Sequence, residues 1–167
     1  MATIRIPFDV QNAVFRTTAF PQIVQANGTN CPIFGLAFDA ATDEACFFDF
    51  EAESYGSGNL SLDIEWYAST ATSGDVVYGA QISALTPNVD TQDVETASFA
   101  AASTVTDSHL GTVGKRLHRC TLTITNLDSI AAGDRVRLRL YRDAVAGADT
   151  MAGDAIITAL KISYSDT

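Results

Sequence analysis

The stretch Asp134-Arg-Val-Arg-Leu-Arg-Leu-Tyr-Arg-Asp143 alternates basic and apolar residues. Because successive side chains of a β-strand point to opposite faces, this period of two predicts a half-buried strand. One face carries Arg135, Arg137 and Arg139, and the other carries aliphatic residues. The stretch therefore predicts a sheet in which a basic row lies outside the core.

A second stretch, Ala45-Cys-Phe-Phe-Asp-Phe-Glu-Ala-Glu53, has an acidic row on one face and an apolar row on the other. If the two strands are neighbours, the rows pair and fix the register, although each exposed pair contributes only about 0.2–1 kcal/mol. The alternative is that the arginine row docks onto an acidic neighbour. The residues of the predicted salt-bridge ladder are Asp49, Glu51, Glu53, Arg135, Arg137 and Arg139.

Helical periodicity is almost absent, and short β-branched and aromatic runs recur between turn-forming residues, which is typical of an all-β fold. The lengths of the connections favour a single jelly-roll β-sandwich of two four-stranded antiparallel sheets. The predicted strands are Ile33–Phe38, Ala45–Glu53, Leu60–Ala68, Val76–Ser83, Thr96–Ala102, His118–Thr125, Arg135–Tyr141 and Ala155–Tyr164.

The chain of 167 residues is long enough for one domain with a substantial core. Residues 13–167 are expected to form this jelly-roll domain, with an extended segment, Ala13–Gln25, along an edge. Residues 1–12 are expected to form an extended N-terminal arm that reaches a neighbouring subunit.

The formal net charge of −10 argues against a nucleic-acid partner, because such binding depends on Lys and Arg that neutralise phosphates. The N-terminus lacks a secretory signal, and no apolar run approaches membrane length, so neither export nor a membrane location is expected. Cys31, Cys46 and Cys120 lack zinc-ligand spacing and are interpreted as buried, reduced thiols made in a cytoplasm.

No pattern in the sequence indicates an enzyme. A nucleophilic triad uses a histidine as its base, and the chain has two histidines, His109 in a loop and His118 at the start of a strand. The carboxylates Asp49, Glu51, Asp63 and Glu65 could form a glycosidase pair, but they are expected on open sheet faces. A salt-bridged or solvated role is the preferred interpretation for all four.

Two acidic loops, 39–44 and 143–154, contain oxygen ligands of the type that calcium prefers. Neither has EF-hand spacing, and aspartates that bond their own backbone in turns explain both loops. No metal or other cofactor is therefore predicted.

Four blocks of sequence, in chain order, resemble a known family. The first two blocks each consist of two segments, Gly35–Asp39 with Asp43–Phe48 and Leu62–Ala68 with Ser73–Tyr78, and the other two are Ala132–Asp143 and Gly153–Tyr164. Over roughly residues 33–165 the chain resembles small jelly-roll virion proteins of tailed bacteriophages. The resemblance implies a module that is commonly trimeric and that occurs in head decoration proteins and in tail or fibre components.

The function implied by this resemblance is a capsid decoration, or cement, protein that binds the major capsid protein on the outside of a phage head. It would be made in the host bacterial cytoplasm and would form a homo-oligomer, with a trimer expected. The possible capsid or subunit contacts are Arg5, Arg16, Arg135, Arg137 and Arg139. The alternative is a tail or fibre module that binds a host-surface glycan through exposed tyrosines such as Tyr55, Tyr67 or Tyr78.

Overall fold

The computed structural model describes residues 2–166, so Met1 and Thr167, the ends of the predicted arm and domain, lie outside the described residues. Within that range the chain forms ten β-strands and one short 3-10 helix, Val10–Asn12. The strands are β1 (Thr3–Phe8), β2 (Gln22–Asn27), β3 (Pro32–Phe38), β4 (Glu44–Glu51), β5 (Tyr55–Ala68), β6 (Asp75–Leu85), β7 (Ser103–Ser108), β8 (His118–Ile124), β9 (Arg135–Arg142) and β10 (Ala155–Asp166). No helix in residues 2–166 is long and apolar enough to cross a bilayer.

The strands form two antiparallel sheets around one core, which confirms the predicted all-β sandwich. One sheet has four strands in the order β4-β9-β6-β7. The other has six strands, with the order β2-β3-β10-β5-β8 and with β1 also paired to β10. The predicted division into four and four strands is corrected to six and four, because β1 and β2 extend the second sheet.

Seven of the eight predicted strands are present, but the one predicted at Thr96–Ala102 is wrong. That stretch is irregular, and β7 begins immediately after it, in residues expected to form a crossing loop. The predicted stretch is rich in Ala and Ser, so it offers too little apolar surface to be held in a sheet. Val105 of β7 packs against the core instead.

The N-terminal segment expected to form an extended arm toward a neighbouring subunit contains β1, which pairs with β10 of the same chain. Ile4, Ile6 and Phe8 alternate along β1 and pack against the core, and their burial explains why the segment is ordered. The predicted edge segment, Ala13–Gln25, pairs with one sheet at its start and with the other at its end. Val14 pairs with β4 of the four-stranded sheet, whereas Gln22 begins β2 in the other.

β4 and β9 are neighbours in the four-stranded sheet, as the alternating charge patterns predict. Their register places Asp49 opposite Arg137 and Phe47 opposite Arg139. The aliphatic face of β9 is fully buried in the core. The arginine face therefore lies on the outer surface of this sheet, with β4 on one side and β6 on the other.

Arg142, the last residue of β9, is fully buried, and its charge is neutralised inside the protein. Its Nε and Nη2 donate to the two carboxylate oxygens of Asp149 at 2.9 and 2.7 Å. The guanidinium also donates to the carbonyl oxygens of Met151 and Gly153 at 2.7 and 2.8 Å. Because Asp149 in turn accepts from the Val77 N–H at 3.0 Å, this pair anchors the 143–154 loop to the sheet.

We expect Asp149→Asn to lower the free energy of unfolding by about 3–5 kcal/mol, because it leaves a buried guanidinium without its counter-charge. The matched control is Asp63→Asn, which removes the partner of Lys161 in a partly exposed pair of 2.8 Å. That change is expected to cost less than about 1 kcal/mol. Urea denaturation of both variants measures the difference, and equal losses would contradict the role of the Arg142–Asp149 pair.

Candidate functional site: a groove on the four-stranded sheet

A groove of about 720 Å³ lies on the outer face of the four-stranded sheet. Its floor comes from β4, β9 and β6, and its walls come from two irregular segments, residues 14–16 and residues 94–99. Its charged lining consists of Arg16, Arg135, Arg137, Asp49 and Glu95. The volume is in the range of small-molecule binding sites in proteins.

Asp49 holds two arginines of the groove floor in place. Arg137 Nε and Nη2 donate to its two carboxylate oxygens at 2.8 and 3.1 Å, and Arg135 Nη2 lies 3.2 Å from Oδ2. The hydrogen bond from Arg137 holds the pKa of Asp49 below its ordinary value, with a further contribution from Arg135. The Asp49 side chain is 19% exposed, against 61% for Arg135 and 47% for Arg137, so both guanidinium groups remain accessible from solvent.

An aromatic pair contributes the apolar part of the groove. The Phe47 ring on β4, in the floor, lies 5.9 Å from the Phe99 ring in the wall of residues 94–99, measured between centroids. Arg16 places its guanidinium carbon 5.2 Å from the Phe47 centroid, in a cation–π arrangement. Val14 holds the wall of residues 14–16 in place through two backbone hydrogen bonds of 2.9 Å with Phe47.

Arg139 occupies a different environment from Arg135 and Arg137, the other two arginines on the outer face of β9. It lies opposite Phe47 and not opposite an acid, so it donates to the side-chain oxygen of Gln81 on β6. The amide nitrogen of Gln81 donates to the Ala100 carbonyl oxygen at 2.8 Å. This relay fixes the end of the loop that carries Phe99.

The salt-bridge ladder is shorter than the sequence predicts. Asp49 binds both Arg135 and Arg137, whereas Glu51 and Glu53 have no ion pair within the described part of the chain. Glu51 lies opposite Arg135 in register but is exposed, and Glu53 lies beyond the end of β4. The predicted third ion pair is absent because the strand register places Phe47, and not a carboxylate, opposite Arg139.

The other predicted contact arginines separate in space. Arg16 joins the groove through its stacking on Phe47. Arg5 lies on β1 in the six-stranded sheet, opposite Ser163, so it does not belong to this site. The sequence did not indicate Phe99 as a site residue, and its only signal was that it is the one large apolar residue in an Ala/Ser-rich stretch.

The tyrosines expected to be exposed for glycan binding are buried. Tyr55, Tyr67 and Tyr78 are 9%, 4% and 0% exposed. Tyr55 and Tyr78 belong to the core, and Tyr67 packs against Ala37 and Ile156 on the outer side of the six-stranded sheet. A glycan site built on these three rings is therefore wrong.

The acidic loops use their carboxylates internally. Asp39 accepts from the backbone N–H groups of Ala41 and Thr42 at 2.7 and 2.8 Å, and Glu44 accepts from the Asp39 N–H at 2.8 Å. In the other loop Asp149 is bound to Arg142. Among residues 2–166 no group of three His, Cys, Asp or Glu side chains is placed to hold a metal ion.

The two histidines lie against each other, and His118 also lies against Trp66. His118 stacks on Trp66 with centroids 4.3 Å apart, and the His109 ring lies 4.6 Å from it. The Leu110 N–H donates to His118 Nε2 and the Gly111 N–H donates to His109 Nδ1, both at 3.0 Å. Both rings must be neutral to accept these bonds, so the pair functions as an anchor for the loop between β7 and β8.

Burial lowers the pKa of His118, and the neighbouring His109 adds to this effect, while Asp107 opposes it. Because the unfolded state then binds a proton more readily than the folded state, stability decreases as pH falls below about 6.5, the ordinary value for histidine. We expect His118→Gln to reduce this loss between pH 7 and pH 5.5 in urea denaturation. Equal pH profiles for the two proteins would contradict this role.

A second groove, of about 470 Å³, lies on the six-stranded sheet and includes Cys31, Ile33, Tyr67 and Leu117. Cys31 is exposed, which corrects the prediction that all three cysteines are buried. This groove is mainly apolar, and its charged residues are Glu65 and Lys115. The first groove combines aromatic rings with oriented charged donors and is therefore the stronger candidate site.

No protein-family model matches the sequence, and no curated protein sequence does. Among solved structures, the chain is similar to the CBM36-1 domain of a multidomain xylanase from the hindgut metagenome of Trinervitermes trinervoides. That match has 12% identity, covers 98% of this chain and 100% of that one, and has a TM-score of 0.54. It shows the fold, and it confirms the predicted jelly roll.

Two weaker similarities accompany it. A CBM36 carbohydrate-binding module in complex with calcium and xylotriose has 16% identity, covers 94% of this chain and 98% of that one, and has a TM-score of 0.49. The enzymatically active domain of tailspike protein 4 of bacteriophage CBA120 has 10% identity, covers 95% of this chain and 19% of that one, and has a TM-score of 0.41.

The prediction of a capsid decoration protein is wrong. The match with a TM-score above 0.5 is described as the CBM36-1 domain of a multidomain xylanase and not as a capsid protein, which corresponds to the glycan-binding alternative. The error has a physical origin: the four sequence blocks that suggested the function are strands, and strands specify an architecture that serves many functions.

Proposed function

We propose that this chain is a glycan-binding module and that the groove on the four-stranded sheet is its binding site. The observation that carries the proposal is the meeting of an aromatic pair, Phe47 of the floor and Phe99 of the wall, with guanidinium groups held in fixed orientation by Asp49. The similarity of the fold to a carbohydrate-binding module supports the same class of ligand by analogy.

A sugar ring presents apolar C–H faces and a rim of hydroxyl groups, so its binding site needs both kinds of contact. The Phe99 ring is half-buried and forms part of the groove wall, where it offers apolar surface to such a face. Arg135 and Arg137 offer N–H donors to hydroxyl or carboxylate oxygens, and Ser83 adds a hydroxyl. An apolar groove with a few convergent polar groups is the usual composition of a ligand site.

The proposed role is binding and not hydrolysis. A glycosidase general acid needs a carboxyl group whose pKa is raised, so that it carries a proton to donate. The pKa of Asp49 is shifted the other way by Arg137 and Arg135. Asp49 therefore serves to orient the arginines.

A location on the virion, in a tail or fibre that attaches to a host surface, stays a prediction of the sequence resemblance. Self-association into a trimer stays a prediction as well. A glycan-binding module is compatible with both, since a repeated weak site gains affinity through multivalency.

We expect Phe99→Ala to weaken oligosaccharide binding roughly tenfold, which corresponds to about 1.4 kcal/mol, because it removes an aromatic wall of the groove. The matched control is Val89→Ala in the same loop, where the side chain is exposed and does not line the groove. Screening on a glycan array followed by calorimetry measures both variants. Failure to bind any glycan, or unchanged affinity in Phe99→Ala, would contradict the proposal.

A further inference from the structure

We propose that the ligand of this groove is an acidic glycan, and that Arg135 and Arg137 bind the carboxylate of a uronic acid residue. This inference rests on the proposed function, since it names the class of sugar that the same groove takes. It follows from the charge of the groove, from its donor inventory and from the exposure of the two guanidinium groups.

The charge of the groove is opposite to that of the protein. Three arginines and two carboxylates line it, whereas the whole chain has 20 Asp and Glu against 10 Lys and Arg. Asp49 is the shared partner of Arg135 and Arg137. The third arginine, Arg16, has no ion pair within residues 2–166. The groove therefore has a surplus of positive charge on an acidic molecule.

The donors of the groove outnumber its acceptors. Each guanidinium presents five N–H groups, and three contacts from Arg135 and Arg137 go to Asp49, which leaves several N–H groups for a ligand. A sugar hydroxyl both donates and accepts, whereas a carboxylate only accepts. The carboxylate is thus the better complement to a groove whose charged groups are mainly donors, and its geometry matches the guanidinium fork.

Asp49 makes the site pre-organised. Free arginine side chains lose considerable conformational freedom when they bind a ligand. Here the two guanidinium groups are already held by one partly buried carboxylate on the neighbouring strand. Asp49 is a positioning residue, and the ligand contacts the exposed sides of the two arginines.

Matched ligand pairs separate this inference from the proposed function. We would measure binding of oligogalacturonate, oligomannuronate and glucuronic-acid-bearing xylo-oligosaccharides by calorimetry, each beside its carboxyl-reduced form. The two members of a pair share ring shape and linkage and differ in charge. We expect at least one acidic member to bind about tenfold more tightly than its neutral form, the effect of a charge-assisted hydrogen bond.

Arg135→Gln tests the residue assignment, because its side chain is exposed and its loss leaves Asp49 bound to Arg137. We expect about a tenfold loss of affinity for the acidic member and a smaller loss for the neutral one, because a hydroxyl loses only a neutral acceptor contact to the guanidinium. Arg137→Gln is a second variant with the same expectation. The matched control is Arg119→Gln, which removes an exposed arginine paired with Glu65 on the six-stranded sheet.

Each result decides a different point. Equal binding of acidic and neutral members would overturn the acidic-glycan inference and leave the glycan-binding function intact. Acidic binding that survives both Arg135→Gln and Arg137→Gln would overturn the residue assignment. Absence of binding to every member of all three pairs, together with a silent glycan array, would overturn the proposed function and this inference with it.

Discussion

The alternation of side chains along β9 is the constraint on which both the core and the groove depend. This strand lies inside the four-stranded sheet, between β4 and β6, so one of its faces must be apolar. A slip of one residue would exchange the faces and bury the arginines. Arg142 shows how such burial is tolerated. Its side chain lies on the same buried face as the aliphatic residues of β9, and its guanidinium donates to Asp149 and to backbone carbonyl oxygens.

The groove joins a rigid floor to irregular walls. The floor is part of the sheet, and Asp49 orients its arginines across strands of fixed register. The walls come from loops that are tied to that floor, one through Val14 and Phe47 and the other through Gln81 and Ala100. Sites of this kind combine the precision of a sheet with the variability of loops.

The strands with strong period-two patterns could be predicted from the sequence, and so could the pairing of β4 with β9. The exact ladder could not, because the register that places Asp49 opposite Arg137 and within reach of Arg135 depends on the whole sheet. β7 was missed because its side chains are mostly polar, and its position depends on pairing with β6. The Phe47–Phe99 contact was missed because it joins a strand to a distant loop with little pattern of its own. The function could not be read from strands alone, since the jelly roll supports many activities.

The most direct test of the glycan site is an NMR titration of the ¹⁵N-labelled protein with the tightest-binding oligosaccharide. If the groove on the four-stranded sheet is the binding site, the largest amide shifts will cluster at Phe47, Phe99, Arg135 and Arg137. Shifts that cluster instead around Cys31, Ile33 and Leu117, on the six-stranded sheet, would contradict the account.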